Sequence, residues 1–506
     1  MTRSTAVATC SLAPGLRISR VLTGLWQVAD LERGGQTLDP AMAAEAMCSY
    51  VEAGFTSFDM ADHYGSAEVI AGALRRRLGP ATPVQLLTKW VPKPGPVTRA
   101  QVRAAVTRAL DRLGSQSIDL LQFHAWSYAD PSWLDCLFWL EELRAEGLIR
   151  HLGLTNVDTA HLRMVLASGI RVVSNQVSYS LLDSRAAHAM SALCQAHGIK
   201  LLAFGTLAGG LLSARWLGRP EPAAESLATW SQMKYRRFVE VAGGWSRFQG
   251  LLRTLDGVAR DEGVSIANVA CRYMLQQPAV GGIIIGARLG EREHIASNLG
   301  LFDFSLDQPA CARIAEAVAA LEPIPGDCGD EYRKAPFLTA TGDLSQHLEH
   351  IPPPFPARTG SDGRTRVVSG TRWEHIAGFC RALRRGQQIW VSGTTATHGD
   401  RVIGGTDPAA QAHFVIDKIE GALRSLGATL DDVVRTRIYL PDLADWKAVA
   451  RVHGERFSAI QPTNTLVEAA LVGDGYRLEM EAEAVVEAAP QASDVTAAAA
   501  TGVSGG

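Results

Sequence analysis

Four polar residues in the first quarter of the chain carry side chains that hold or move protons: Asp59, Tyr64, Lys89 and His124. A carboxylate, a phenol, an amine and an imidazole gathered in one pocket make a proton-transfer apparatus. They sit at or just past three short apolar runs, Phe55-Thr56-Ser57-Phe58, Val84-Gln85-Leu86-Leu87-Thr88 and Ile118-Asp119-Leu120-Leu121-Gln122-Phe123. Each run has the length and composition of a buried parallel strand. Parallel strands deliver their carboxyl ends to one edge of a sheet, so the four residues are expected to converge there. Taken singly, each has an ordinary structural explanation; the ordered set is what points to chemistry.

The elements that must position them recur along the chain. Strand candidates are Val21 to Gln27, Thr56 to Asp59, Val84 to Lys89, Ile118 to His124, His151 to Thr155, Val172 to Gln176, Ile199 to Phe204 and Gly282 to Gly286. Helical patterns alternate with them, as at Thr98 to Leu113, where Val102, Ala105, Val106, Ala109 and Leu113 keep a helix period. Eight βα repeats over about 300 residues match an α/β fold of the (β/α)8 TIM-barrel kind, whose active sites lie at the strands' carboxyl ends. A doubly wound sheet would carry G-x-G-x-x-G after its first strand. Gly24-Leu25-Trp26-Gln27 stands there instead.

Periodicity fails from Leu321 to Arg366, where Pro323-Ile324-Pro325-Gly326 and Ile351-Pro352-Pro353-Pro354-Phe355-Pro356 read as an extended linker. A second pattern follows: strands at Ile389 to Gly393, Val433 to Leu440, Thr465 to Leu471 and Leu478 to Val486, and helices at Ala410 to Leu426 and Trp446 to Phe457. The expected organisation is a barrel over 1–320, a linker over 321–366, a smaller α+β domain over 367–490 and a disordered tail over 491–506.

Composition excludes several function classes. A formal net charge of −3 offers no field for nucleic acid or an anionic membrane. No apolar run approaches the roughly 18 residues that cross a bilayer, and the start, Met1 to Thr5, lacks a secretory h-region. The eight cysteines are scattered without a C-x-x-C, which suits reduced thiols in a cytoplasmic protein. No metal is expected, since the thirteen histidines lack ligand spacing.

Reducing a carbonyl with a nicotinamide needs hydride on carbon and a proton on oxygen. Tyrosine, with a reference pKa near ~10, is a poor acid at neutral pH unless tuned. A lysine beside the phenol favours its ionisation, and an aspartate holds that lysine charged. Residues 16–320 resemble the aldo-keto reductase family through Phe58-Asp59-Met60-Ala61-Asp62-His63-Tyr64-Gly65, Leu87-Thr88-Lys89-Trp90 and Asp119 to His124. Gly147 to Asn156, Asn175 to Tyr179 and Ile284 to Arg288 continue the match. The resemblance implies Tyr64 as general acid, tuned by Lys89 and Asp59, with His124 orienting the substrate. It implies a cofactor site of Thr155, Asn156, Gln176, Phe204, Gly205, Leu207, Gly286, Arg288, His294 and Asn298. Phe204 stands where the family usually has tyrosine, and His294 where a second arginine is common. Arg288 would meet a 2′-phosphate, so NADP(H) is expected over NAD(H). Trp26 and Trp90 would wall the substrate pocket, and Leu211 to Arg247, with Trp216, Trp230 and Trp245, would cap it.

Residues 372–487 resemble the Rid (YjgF, reactive-intermediate deaminase) family, of chorismate-mutase-like fold, through Val391-Ser392-Gly393, Asp432 to Tyr439, and Pro462 with Leu478-Glu479. Family members are typically trimers, which implies a homo-oligomer. Active imine deaminases present an arginine from a Pro-x-Arg segment to the substrate carboxylate. Here the segment is Pro462-Thr463-Asn464, so assembly or ligand binding is expected, with Asn464 and Glu479 as the remnant site. The expected function is therefore NADP(H)-dependent reduction of a small aldehyde or ketone, or oxidation of the alcohol. Its competitors are an NADP-binding sensor or scaffold, and imine hydrolysis coupled to carbonyl reduction.

Overall fold

The computed structural model describes residues 6–28, 30, 33, 35–291, 294–339 and 351–487. The chain divides into two compact units, Met1–Pro352 and Pro353–Gly506.

The first unit opens with a hairpin, β1 (Thr9–Ala13) and β2 (Leu16–Ser19). Eight parallel strands then close a barrel: β3 (Val21–Gly24), β4 (Ser57–Asp59), β5 (Gln85–Trp90), β6 (Ile118–Phe123), β7 (Ile149–Thr155), β8 (Ser174–Ser178), β9 (Lys200–Phe204) and β10 (Val280–Gly286). Leu12, Leu16 and Ile18 of the hairpin pack with Leu22, Leu87, Leu120 and Leu202 in one buried cluster.

Local chemistry starts the outer helices where the sequence places polar caps. Asp39 accepts from the amides of Ala41 and Met42 ahead of Pro40–Glu52, with proline in the first turn, where its missing N–H costs nothing. Thr98 and Gln101 form a capping box at Arg99–Leu113. Strand pairing levels the barrel's rim: Gly286 pairs with Gly24, Gly24 with Asp59, Lys89 with Gln122, and Thr155 with Gln176. Registry thus carries residues far apart in sequence to one edge.

Residues 321–339 are not linker. Leu321, Ile324 and Leu338 are buried in the cluster of the barrel's helical shell. Arg185 anchors the same stretch, its guanidinium 2.8 Å from Glu331 and paired with Asp183 at 2.7 Å, all three side chains almost wholly buried. The proline-rich reading fails because buried anchors, not backbone period, hold this segment. At the other end of the expected linker, β11 (Ala357–Thr359) and β12 (Thr365–Val367) are strands of the second unit. The tail over 491–506 lies outside the described residues.

The second unit adds β13 (Ala382–Arg385) and β14 (Gln388–Thr395), the short pair β15 (Thr397–His398) and β16 (Arg401–Val402), and β17 (Val433–Leu440), β18 (Thr463–Glu468) and β19 (Glu479–Val485). The main sheet runs β11-β12-β13-β14-β19-β17-β18, antiparallel except for β17 with β18. The helix Pro408–Arg424 is buried along most of its length. On strand β17, Val433, Thr436, Ile438 and Leu440 are buried while Arg435 and Arg437 stay accessible, the alternation of a sheet covered on one face.

Candidate active site

At the carboxyl rim, the Asp59 carboxylate accepts from Lys89 Nζ at 2.7 Å, from Gln176 Nε2 at 2.7 Å and from Gln122 Nε2 at 3.3 Å. Asp59 and Lys89 are 3% and 5% exposed, so the pair is screened by protein rather than by water. Burial pulls the Lys89 ammonium below the ordinary lysine value, and Asp59 opposes that pull. Tyr64 sits in the turn after β4, its ring centroid 5.2 Å from Lys89 Nζ and edge-on to Trp26 and His63. His124 follows β6, its amide donating to the Trp90 carbonyl at 3.2 Å. Burial, then the charge of Arg333, holds its imidazole well below the usual histidine value, against a hydrogen bond with the Thr155 backbone. The ring is therefore neutral at pH 7, and its Nε2 has no hydrogen-bond partner among the described residues.

These four residues line one cavity of about 670 Å3, and so do all ten residues expected to hold the cofactor. That volume is within the range for ligand sites. Gly205 has φ of 72°, and a Cβ there would lie 1.9 Å from the Tyr235 hydroxyl, so only glycine lets the chain turn at this wall. Asn156 adopts φ of 57°, and its buried Oδ1 has no partner among the described residues. An acceptor held in that backbone conformation fits a carboxamide N–H, and Phe204 supplies a ring face on the same cavity. Arg288, His294 and Asn298 supply polar groups on the same cavity. The residues present fit a nicotinamide dinucleotide.

Two expectations need correction. Trp26 lines the cavity, but Trp90 turns into the core against Phe123, with ring centroids 5.6 Å apart, and Trp126 lines the cavity instead. Successive strand residues face opposite sides of a barrel wall, so a strand that points Lys89 inward sends Trp90 outward. Within 211–247, Trp230 reaches Trp26, with centroids 6.4 Å apart, whereas Trp216 packs on Trp245, and Trp245 on Phe248, away from the site. Residues that sequence reasoning missed are Trp126, Lys234 and Tyr332, all on the cavity, and Arg333 behind His124. Arg333 donates to the carbonyls of Ala125 and Asn156 and stacks over Tyr128, 4.5 Å from its ring centroid. The last two fall in the stretch read as linker. Their only signal was an Asp-Glu-Tyr-Arg cluster in a proline-rich background.

In the second unit, Asn464 Nδ2 donates to Thr436 Oγ1 at 2.9 Å, and that hydroxyl meets His453 Nε2 at 2.9 Å. Glu479 is half-buried beside Gly393, where a Cβ would lie 1.9 Å from its carboxylate oxygen. Burial and Glu481 push its carboxyl up, and Arg381 opposes. Asn464 pairs with Thr436, and Glu479 with Tyr439, which pairs with Val467. Within one chain the two residues are therefore two strands apart and offset by three residues, roughly 10 Å in each direction. One chain does not bring them into a common site.

A closed parallel barrel with a polar cluster and a cavity of about 670 Å3 at its carboxyl rim is the frame of a TIM-barrel enzyme. Residues 20–319 match the model described as the aldo/keto reductase family, and the chain belongs to that family. Residues 370–486 match the endoribonuclease L-PSP family model. An NADH-specific methylglyoxal reductase of Escherichia coli is 25% identical over 61% of this chain and 97% of its own length. The solved glycerol dehydrogenase of Gluconobacter oxydans is 20% identical, covering 64% of this chain and 98% of its own, with a TM-score of 0.51. A YjgF/YER057c/UK114 family member from Mycobacterium tuberculosis is 44% identical over 24% of this chain and 99% of its own, with a TM-score of 0.23.

Proposed function

We propose that the first unit is an NADP(H)-dependent reductase of a small aldehyde or ketone, running in reverse on the alcohol. The observation that carries this reading is the buried Asp59–Lys89 pair beside Tyr64, on the same cavity as a neutral His124. When bound, the nicotinamide supplies the hydride. Tyr64 gives its proton to the carbonyl oxygen, and the adjacent Lys89 charge stabilises the phenolate left behind. Asp59 keeps that ammonium charged and, through Gln122 and Gln176, fixed in place. His124, neutral because of its burial, orients the carbonyl oxygen by a hydrogen bond without competing as an acid. Thr155, Asn156 and Phe204 would hold the nicotinamide, and Gly205, Leu207 and Gly286 would shape its path. Arg288, with His294 and Asn298, would hold the adenosine end, the guanidinium favouring a 2′-phosphate.

The second unit serves assembly or ligand binding rather than imine hydrolysis, because Asn464 is hydrogen-bonded to Thr436 and carries no charge for a substrate carboxylate. Its open sheet face, with Trp390 40% exposed and Arg437 paired to Glu481 and Glu483, suits a homo-oligomer, a trimer by its family. All eight cysteines are free, which favours the cytoplasm. No helix among the described residues is long and apolar enough to cross a membrane.

The test is NADPH oxidation by the purified full chain across a panel of small aldehydes and ketones, beside Tyr64→Phe. Turnover that collapses in the variant while NADPH still binds supports the reading. Tight NADPH binding with no turnover in either protein would instead make it a sensor.

A further inference from the structure

Arg333 stands just outside the cavity wall, yet it holds two parts of that wall at once. Its Nε donates to the Ala125 carbonyl at 3.0 Å, Nη2 donates to the same oxygen, and Nη1 donates to the Asn156 carbonyl at 2.6 Å. Ala125 directly follows His124 past the end of β6, and Asn156 directly follows Thr155 at the end of β7. The two strands are neighbours, paired through Phe123 and Leu154. Beyond a strand end the barrel's ladder stops, so carbonyls there need donors from elsewhere. A guanidinium suits the task, because its planar fork presents several N–H groups in fixed directions.

The segment that delivers Arg333 is fastened ahead of it. Arg185 Nη1 donates to the Asp327 carbonyl at 2.8 Å, and the Thr159 amide donates to the Asp327 carboxylate at 2.8 Å. Gly329 has φ of 81°, and a Cβ there would lie 2.0 Å from the same Asn156 carbonyl oxygen, so only glycine lets the segment pass this close. Arg333 then lies over the Tyr128 ring, 4.5 Å from its centroid. Tyr332, one residue earlier, meets the His124 ring edge to face, with centroids 5.8 Å apart, and accepts from Lys234 Nζ at 2.6 Å. The Arg333 charge also reaches the His124 imidazole, which burial and then that cation keep neutral.

We propose that Arg333 is a positioning residue for carbonyl reduction: its guanidinium ties the turn that carries His124 to the turn that carries Asn156, so that substrate oxygen and nicotinamide meet in a fixed register. The inference rests on the reductase reading. Hydride transfer needs aligned reacting atoms, and a misplacement of about 1 Å can cost roughly 10²-fold. The Asn156 amide keeps its own bond to the Gln176 carbonyl at 2.8 Å, so losing Arg333 should disturb alignment more than cofactor binding.

The experiment compares wild type, Arg333→Ala and Arg333→Lys in the full chain, with saturating NADPH and the aldehyde that the wild type reduces fastest. In Arg333→Ala, kcat should fall by roughly 10–10²-fold, while NADPH, followed by fluorescence, still binds. Millimolar guanidinium chloride should restore part of that rate, and sodium chloride at equal ionic strength should restore none. A merely structural role would lower the yield of NADPH-binding protein without leaving a rate that guanidinium returns. Arg333→Lys keeps the charge but not the fork, so its kcat should stay low with NADPH bound; it carries the test alone should the alanine variant not fold. A kcat within about threefold of wild type in either variant, or a loss in Arg333→Ala that guanidinium leaves unmoved, overturns the proposal while leaving the reductase reading intact. No turnover by the wild type overturns both.

Discussion

Replacing Asp59 by asparagine tests the centre of the site, because it keeps shape and removes one charge. Lys89 then stands in a protein-lined space with no carboxylate at 2.7 Å. An uncompensated buried charge costs roughly 3–5 kcal/mol. Lys89 can escape by losing its proton, which from the ordinary value of 10.5 costs about 5 kcal/mol at pH 7. Burial already draws the group down, so the loss stays within the same range by either route. The new amide retains an oxygen for the Gln122 and Gln176 donors, so their hydrogen bonds are the smaller part of the change. The first unit's unfolding midpoint should fall by about 5 °C or more, read by circular dichroism on the full chain. Tyr64 loses a stable neighbouring cation, and kcat should fall by roughly 10²–10⁴-fold, read by NADPH oxidation. A midpoint within about 1 °C of wild type together with a kcat within about threefold would refute the reasoning.

Other outcomes follow from the same geometry. His124 has a folded pKa well below 6.5, so the unfolded chain takes up this proton first as pH falls below 6.5. Stability present above that pH should be lost on acidification by up to about 1.4 kcal/mol per pH unit, and His124→Asn should show a shallower loss between pH 7 and 5 in thermal melts. Arg185→Met leaves Asp183 and Glu331 buried without their cation, which should cost roughly 3–5 kcal/mol; denaturant titration measures it, and an unchanged midpoint counts against the anchor. Arg288→Ala should weaken NADPH binding about tenfold or more, the size of a lost charge-assisted hydrogen bond, while NADH titrated by fluorescence stays the same. Equal losses for both cofactors would contradict the phosphate assignment.

Much of this site was legible because strands and motifs are local. Eight apolar runs with polar residues at their ends name both the barrel and its rim, and most residues proposed for the cofactor lie at or near such an end, with His294 and Asn298 farther on, past β10. Helix starts read from the apolar period fell within a few residues, Thr98 against Arg99 and Ala410 against Pro408. The second sheet's edge strand was displaced, Thr463–Glu468 rather than 465–471, because an exposed strand carries little hydrophobic pattern to fix its limits. The linker reading failed for a different reason: proline runs describe backbone stiffness, and say nothing about a buried guanidinium waiting elsewhere.

Sequence by itself placed a carboxylate, a phenol, an amine and an imidazole at successive strand ends, since residue type and order along parallel strands suffice for that; the cofactor wall was implied by the family resemblance. Tertiary structure decided which tryptophan faces the cavity, because barrel walls alternate inside and outside residue by residue. It also decided that Asn464 and Glu479 stand apart in one chain, since strand order separates what the sequence sets only fifteen positions apart. Above all, it brought Tyr332 to Lys234 and Arg333 behind His124. Those contacts join residues far apart in the chain through a segment with no periodicity, and only the packed fold, held by Arg185, brings them together.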